Sequence, residues 1–409
     1  MRKILIVGAG QAGLQLALGL NDQGYDVTVM SARTPEEIRN GRVTSTQCMF
    51  HNALQHERDL GLNLWEEQTP KVTGVGVSVG GPDGSRALEW VGLLAGYAQS
   101  VDQRVKMAGW LELLENRGGK VIYHGVTTAD LDRLTEHYEL VLVAAGKGEL
   151  VELFDRDPQR CRFTSPQRML TVSYVHGAGR RPEHPDRDAV RFNPCPGVGE
   201  LFVIPGYTFS GPCEIPFFEA VPGGALDSFR DRPEPAEHWQ RMLGLMREYF
   251  PWEYERFAGA ELTDARGTLT GGYTPVVRKP VGRLPSGGAV LGMADVVVAN
   301  DPITGQGSNN AAKCAASFQH SIVERGAEPF DADWMRTTFE RYWDYAAHVT
   351  RWTNAMLEPL PEHMMRILGA AQHSDEVAGR FVNGFDDPST FAEWLFDPEL
   401  ADRYLASVA

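Results

Sequence analysis

A short apolar run, Lys3–Val7, breaks into Gly8-Ala9-Gly10-Gln11-Ala12-Gly13, and no other stretch of the 409 residues restricts the fold so tightly. In this spacing the first glycine permits a tight turn, and the second lets backbone come close to a pyrophosphate. The third lets a helix pack against the strand before it, and the helix N-terminus supplies positive potential for phosphates. The flanking sequence agrees. Gln11–Asn21 carries Leu14, Leu16, Leu18 and Leu20 among alanines, as a helix on a sheet would, and Tyr25–Met30 returns to strand character. Strand, helix and strand at this distance make a βαβ unit, and so predict a parallel sheet with a dinucleotide site.

One expected element is missing. An acidic residue should close the second strand and hold a ribose, but the chain reads Val29-Met30-Ser31-Ala32-Arg33. A hydroxyl such as Ser31 is left for that task. Arg33 either lies over an adenine or a pyrophosphate, or is a surface cation. A net charge of −15 argues against nucleic acid as a partner, because phosphate contacts need clustered Lys and Arg. Local positive charge should therefore mark where an anionic ligand docks. Arg33, Arg42 and Arg104 are the candidates, whereas Arg2, Lys3, Arg39 and Lys106 read as solvated surface. The five cysteines are scattered with no CxxC pair, which fits reduced thiols and predicts no metal site. No apolar run reaches the eighteen or so residues of a membrane span, and the early glycines leave no room for a signal peptide. A cytoplasmic location is expected.

Further along, a helix over Val105–Asn116 leads through Gly118-Gly119 to a strand at Lys120–His124, and Glu139–Ala144 is a buried strand ending at Gly146. From Met169 to Gly272 many short extended stretches, such as Leu170–Val175 and Leu201–Ile204, are broken by Pro and Gly. One helical segment, Ala236–Phe250, interrupts them, and the whole reads as an inserted, mostly antiparallel sheet. Ala289–Gly292 returns to strand before a helix at about Asn309–Glu324, and the chain after Phe330 is helical by pattern. The expected organisation is a discontinuous dinucleotide domain (1–65, 97–165 and 275–330), a substrate domain (66–96 and 166–274) and a helical C-terminal region (331–409).

The second informative segment is Gly292-Met293-Ala294-Asp295 followed by Asn300-Asp301-Pro302-Ile303-Thr304-Gly305-Gln306-Gly307-Ser308-Asn309-Asn310. Asp295, at a strand end, can bind a ribityl or ribose hydroxyl. Pro302, Gly305, Gly307 and Asn309 form a loop whose backbone N–H groups can face a ring edge at a helix start. Together the two segments resemble flavoprotein aromatic monooxygenases of the para-hydroxybenzoate hydroxylase fold. That resemblance implies a Rossmann-type FAD domain, with Asp295 on the ribityl chain and the Pro302 loop against the isoalloxazine. It also implies Gln103 or Arg104 at the pyrophosphate and Arg42 beside the flavin. Those single-component enzymes carry an Asp-Gly pair after a mid-chain strand, tied to FAD and NAD(P)H binding. Here the strand runs into Ala144-Ala145-Gly146-Lys147-Gly148.

Over nearly its full length the chain is similar to the styrene and indole monooxygenases, the two-component flavin epoxidases. The likeness rests on Asp301-Pro302 through Gly305-Gln306-Gly307, on Arg117-Gly118-Gly119-Lys120 and on Arg351-Trp352-Thr353-Asn354. It continues through Leu360-Pro361 and Asn383-x-Phe385. It implies reduced FAD delivered by an NADH-dependent flavin reductase, O2 as co-substrate, and epoxidation through a C4a-(hydro)peroxyflavin; a homodimer is an open possibility. Indole-preferring members carry Ser, Gln and Met where this chain has Ser45, Gln47 and Met49, and apolar residues where it has Val72, Val75 and Ala95. The expected reaction is indole 2,3-epoxidation leading to indoxyl and indigo, with styrene-like olefins also accepted. Positions i, i+2 and i+4 would put the first three on one face of a strand. No acid–base pair stands out, and His51 and His56 read as solvent-facing helix histidines. Three alternatives stand beside this reading: a styrene-preferring epoxidase, a self-sufficient NAD(P)H-dependent aromatic hydroxylase, and a non-catalytic flavin carrier.

Overall fold

The computed structural model describes residues 2–408 apart from Thr46, Pro82 and Lys147. The opening βαβ unit forms as the glycine spacing predicts. Strand β1 (Lys3–Val7) leads into helix α1 (Gln11–Asp22) and strand β2 (Asp26–Ser31). Gly8 sits at φ +119, a conformation open to glycine, and its N–H donates to the Met30 carbonyl at 2.9 Å. A Cβ on Gly13 would stand 2.1 Å from the Gly8 carbonyl oxygen, so the helix can start this close to the turn only with glycine there.

The remaining elements that position the site follow in order. Helix α2 spans His51–Asp59, and strands β3 (Val72–Gly80) and β4 (Arg86–Ala98) form a hairpin. Helix α3 covers Gln103–Asn116, followed by β5 (Lys120–Tyr123) and β6 (Leu140–Val143). The middle of the chain supplies β7 (Met169–Ser173), β8 (Ala189–Cys195), β9 (Gly199–Thr208) and β10 (Gly211–Ala220). Helix α4 spans Pro235–Tyr249. Then come β11 (Ala289–Gly292), α5 (Gly307–Arg325), α6 (Ala332–Met356) and α7 (Asp375–Asn383).

Two large sheets result. The first runs β11-β6-β1-β2-β5, all parallel, with Val281–Arg283 added antiparallel at the β11 edge. Each of its central strands is a continuous apolar run, as burial on both faces demands; α1, α3, α5 and α6 cover it with Leu14, Leu18, Trp110, Phe318 and Phe339. The second sheet has nine strands among the described residues and is mostly antiparallel, with β3 and β8 the parallel exception. Its two faces feed separate cores because side chains alternate along each strand. Phe192, Phe202 and Phe217 meet Trp352, Phe381 and Phe391 of the C-terminal helices on one face, while Phe218 meets Trp239 and Phe250 on the other. Leaving water stabilises each such side chain by roughly 1.5–3 kcal/mol.

One local expectation fails. The described residues of the 45–49 stretch are not a regular strand: among them Met49 pairs alone, through an isolated antiparallel bridge to Gln99, and Thr46 lies outside the described residues.

Candidate functional site: two helix N-termini at the ends of a parallel sheet

The carboxyl ends of β1, β6 and β11 lie side by side, the position where open parallel sheets bind ligands. Helix α1 starts there at Gly10 with no side-chain cap and no acidic residue in its first turn. A Cβ built on Gly10 meets nothing within 4 Å, so the turn is open on the side a pyrophosphate would approach. Helix α5 also begins uncapped and free of acids in its first turn, directly after the Pro302–Thr304 turn and a left-handed Gly305. At the end of β11, Ala294 is held at φ +49, a strained setting for a residue with a Cβ, and the next residue, Asp295, is exposed. Buried amide atoms remain at the same place. Gln47 Nε2, Gln306 Oε1 and Asn310 Oδ1 meet no partner among the described residues, and Gln47 Oε1 lies 3.5 Å from Ser308 Oγ. Groups of this kind need a polar partner. A flavin dinucleotide, with anionic phosphates and a donor–acceptor ring edge, fits both ends.

The other expected residues are placed less simply. Arg104 is buried and wholly engaged: Asp102 and Asp264 accept from it at 2.7 and 2.9 Å, which drives its pKa further up against the penalty of burial. It braces the structure, and Gln103 is the neighbour nearer the loop. Gln103 donates to Ser45 Oγ at 2.9 Å and accepts from Thr44 Oγ1 at 2.8 Å. Asn309 is likewise committed. It accepts from the Phe50 N–H and donates to the Cys48 carbonyl, both at 2.8 Å, and so pins residues 48–50 to α5. Ser31 turns inward, its hydroxyl donating to the Arg33 carbonyl at 2.6 Å, which corrects its assignment to a ribose. Arg33 and Arg42 are exposed, and neither makes an ion pair with another described residue.

The pocket residues do not form one wall. Val72 and Val75 join Phe192, Phe202, Ile204 and Phe217 on the inner face of the large sheet, together with Cys48 and Phe50. Met49 packs instead with Ala53, Leu54 and Ala312, between α2 and α5. Ser45 is half-buried, and its carbonyl accepts from Tyr174 Oη at 2.8 Å. Ala95 is exposed on β4, its N–H donating to Asn383 Oδ1 at 2.8 Å. His51 and His56 are half-buried rather than solvent-facing. The His51 ring lies against the backbone of Gly96, and burial, with Lys313 nearby, lowers the His56 pKa. Lys106 is buried too, paired with Glu57, whose carboxylate also accepts from Gln11 at 2.9 Å. Sequence reading missed Gln306, whose amide donates to the Phe385 carbonyl at 2.8 Å and ties the loop to the C-terminal segment. It also missed Glu219, a carboxyl in the otherwise apolar run Phe217-Phe218-Glu219-Ala220, and that polar interruption was its signal.

Fold and site together define a flavoprotein of the para-hydroxybenzoate hydroxylase type. Among solved structures, a triple mutant of the flavin-dependent brominase Bmp2 matches with a TM-score of 0.67 at 16% identity, over 99% of this chain and 98% of the other. The p-nitrophenol 4-monooxygenase PnpA from Pseudomonas putida DLL-E4 matches at 0.64 and 12%, over 95% and 99%. At such identities the likeness is one of fold. The family described as "Styrene monooxygenase A putative substrate binding domain" matches residues 146–256. The styrene monooxygenase StyA of Pseudomonas fluorescens is 31% identical over 97% of this chain and 96% of its own length. The chain belongs to the styrene monooxygenase family, and is a flavin-dependent monooxygenase with FAD as cofactor. No helix among the described residues is long and apolar enough to cross a membrane.

Proposed function

We propose that the chain is the epoxidase component of a two-component system, receiving reduced FAD from an NADH-dependent flavin reductase and acting on indole in preference to styrene. The full-length relation to StyA supports the epoxidase part. The absence of an acid after Met30 and of an Asp-Gly pair in 144–148, of which Lys147 lies outside the described residues, supports delivery of flavin from elsewhere. Gly8, Gly10 and Gly13 would hold the pyrophosphate at the start of α1, Asp295 the ribityl chain, and the Pro302–Gly307 backbone the ring edge. Reduced FAD, once it has met O2, supplies an electrophilic oxygen atom. The protein's part is to place an electron-rich double bond near it and to keep water out. Val72, Val75, Phe192, Phe202 and Phe217 provide a dry aromatic wall for a flat ring.

The indole preference rests on Gln47. Its side chain is buried beside Ser308 at the start of α5, with its amide nitrogen unpartnered among the described residues. Asn and Gln amides can be turned to present either end, so Gln47 can accept from an indole N–H, a group styrene lacks. The experiment is a comparison of kcat/KM for indole and styrene with the chain and a flavin reductase, alongside colonies co-expressing both. Blue colonies and a ratio favouring indole are expected. Colourless colonies with soluble protein, or a ratio favouring styrene, overturn the preference. Turnover with NADH and no reductase overturns the two-component reading.

A further inference from the structure

Strands β9 and β10 pair with Glu200 directly opposite Glu219. Both side chains point to the face that carries Phe202, Phe217 and Ile303. Like charges at directly opposed positions destabilise a sheet, so something must neutralise them. Arg168 takes Glu200 in a two-pronged pair at 2.7 and 2.8 Å. Glu219 has no such partner. It is 0% exposed, and neither of its oxygens meets a donor among the described residues. Within hydrogen-bonding reach of it is a third carboxyl, Asp301, 2% exposed, whose own oxygen accepts the Ile303 N–H at 3.2 Å and so caps the Pro302–Thr304 turn.

Three buried carboxyls and one guanidinium cannot all be charged here, because an isolated buried carboxylate takes up a proton instead. The remaining charged or titratable neighbours do not alter this. Tyr273 is 41% exposed, but its hydroxyl turns inward to donate to the Asn300 carbonyl, and desolvation there, with Asp295, Asp301 and Glu219 adding to it, pushes its pKa well up and keeps it neutral. Helix α6 contributes a neutral group, Thr350, which donates to Asn300 Oδ1 at 3.1 Å. Burial drives Glu219 well above the usual carboxylate range, with Asp301 and Glu200 reinforcing it, and burial also pushes Asp301 up to about 6.

We infer that Glu219 holds a proton and donates it in a hydrogen bond to the Asp301 carboxylate, fixing the loop that opens α5 in its cofactor-binding position. Glu219 is thus a positioning residue that links the substrate sheet to the FAD site. The inference rests on the reading of Pro302–Gly307 as a flavin-contacting loop. A group that binds its proton more tightly folded than unfolded makes the folded arrangement weaken as pH rises through its folded pKa. Grip on FAD should therefore fall on the alkaline side.

The test is anaerobic titration of reduced FAD, with thermal unfolding on the same samples, from about pH 7 to about pH 9. Wild-type affinity is expected to drop about tenfold, the order of one charge-assisted hydrogen bond. Glu219→Gln, whose amide donates at every pH, should keep the neutral-pH affinity and lose the slope. Glu219→Ala should bind about tenfold more weakly throughout. Gly307→Val is the control, because a Cβ there meets nothing within 4 Å and the fold should tolerate it. If Gly307→Val loses FAD while Glu219→Gln keeps the wild-type slope, the Glu219 inference is overturned and the loop reading stands. If Gly307→Val binds FAD as wild type does, the loop reading falls and the inference with it. A Glu219→Ala variant that binds normally also overturns it.

Discussion

Gly10 and Gly13 belong to one motif, yet alanine at each should fail in a different way. At Gly13 an added Cβ would lie 2.1 Å from the Gly8 carbonyl oxygen and 3.2 Å from the Ala144 Cβ. The clash is with backbone at a junction of β1, α1 and β6, and neither side can swing away. Overpacking of this kind costs about 1–3 kcal/mol or more, so Gly13→Ala should lower the urea midpoint with or without FAD. At Gly10 the added Cβ meets nothing, and the backbone, at φ −91 and ψ −174, suits any residue. Gly10→Ala should leave the unfolding midpoint of the apoprotein within about 0.5 kcal/mol of wild type. The methyl would nevertheless stand between the α1 N-terminus and the pyrophosphate. Losing charge-assisted bonds to phosphate is worth about 1.5–3 kcal/mol, or roughly ten- to a hundredfold in Kd. Urea unfolding of both apoproteins, paired with FAD titration by fluorescence, separates the two. A Gly10→Ala variant with unchanged Kd would refute the placement of the pyrophosphate. One that is as unstable as Gly13→Ala would refute the claim that the turn is open there.

Other substitutions probe the rest of the site. Gln47→Val should shift the kcat/KM ratio of indole to styrene about tenfold toward styrene, as loss of one hydrogen bond in a dry site allows; an unchanged ratio removes Gln47 from substrate recognition. Burial would raise the Asp264 carboxyl, but the hydrogen bond from Arg104 outweighs it and holds the pKa below the usual range. A depressed carboxylate stabilises the fold above its unfolded pKa of about 3.9 and loses that contribution as pH falls through the folded value. Asp264→Asn should therefore cost about 1 kcal/mol at neutral pH, discounted because the side chain is 36% exposed, and flatten the melting curve against pH below about 4. Asn383 accepts from the Ala95 N–H and donates to the Leu93 and Gly379 carbonyls at 3.0 and 2.7 Å. Asn383→Ala should destabilise by about 1–3 kcal/mol in urea unfolding and loosen α7 from β4; an unchanged midpoint would mean that apolar packing alone holds that helix.

What could be read from sequence, and what could not, divides along physical lines. Lys3–Val7, the glycine turn and the leucines of α1 interact within one turn of chain, so their spacing carries their geometry, and the parallel sheet was legible from the start. In the parallel sheet the expected strand edges lie within about one residue of the observed ones, as at Glu139–Ala144 against Leu140–Val143, whereas in the large sheet Leu201–Ile204 proves to be only the middle of Gly199–Thr208. The open turn at Gly10 and the uncapped start of α5 after Gly305 were legible for the same reason, because local backbone sets both. The partners that engage the Arg104 and Asn309 side chains were not legible, because they are remote in sequence. Asp264 lies 160 residues from Arg104, and Phe50 lies 259 from Asn309. Each looks like a free polar group until the fold brings up the group that occupies it. The period-two reading of Ser45, Gln47 and Met49 failed differently. Asn309 fixes both ends of the Cys48–Phe50 backbone, so hydrogen bonding to α5, rather than a sheet ladder, decides which of these side chains face the core of the large sheet. Cys48 and Phe50 join the apolar cluster of Val72 and Val75, whereas Met49 turns to α2 and α5. Position in sequence can propose which residues share a face. Only the long-range partner that fixes the backbone decides which face it is.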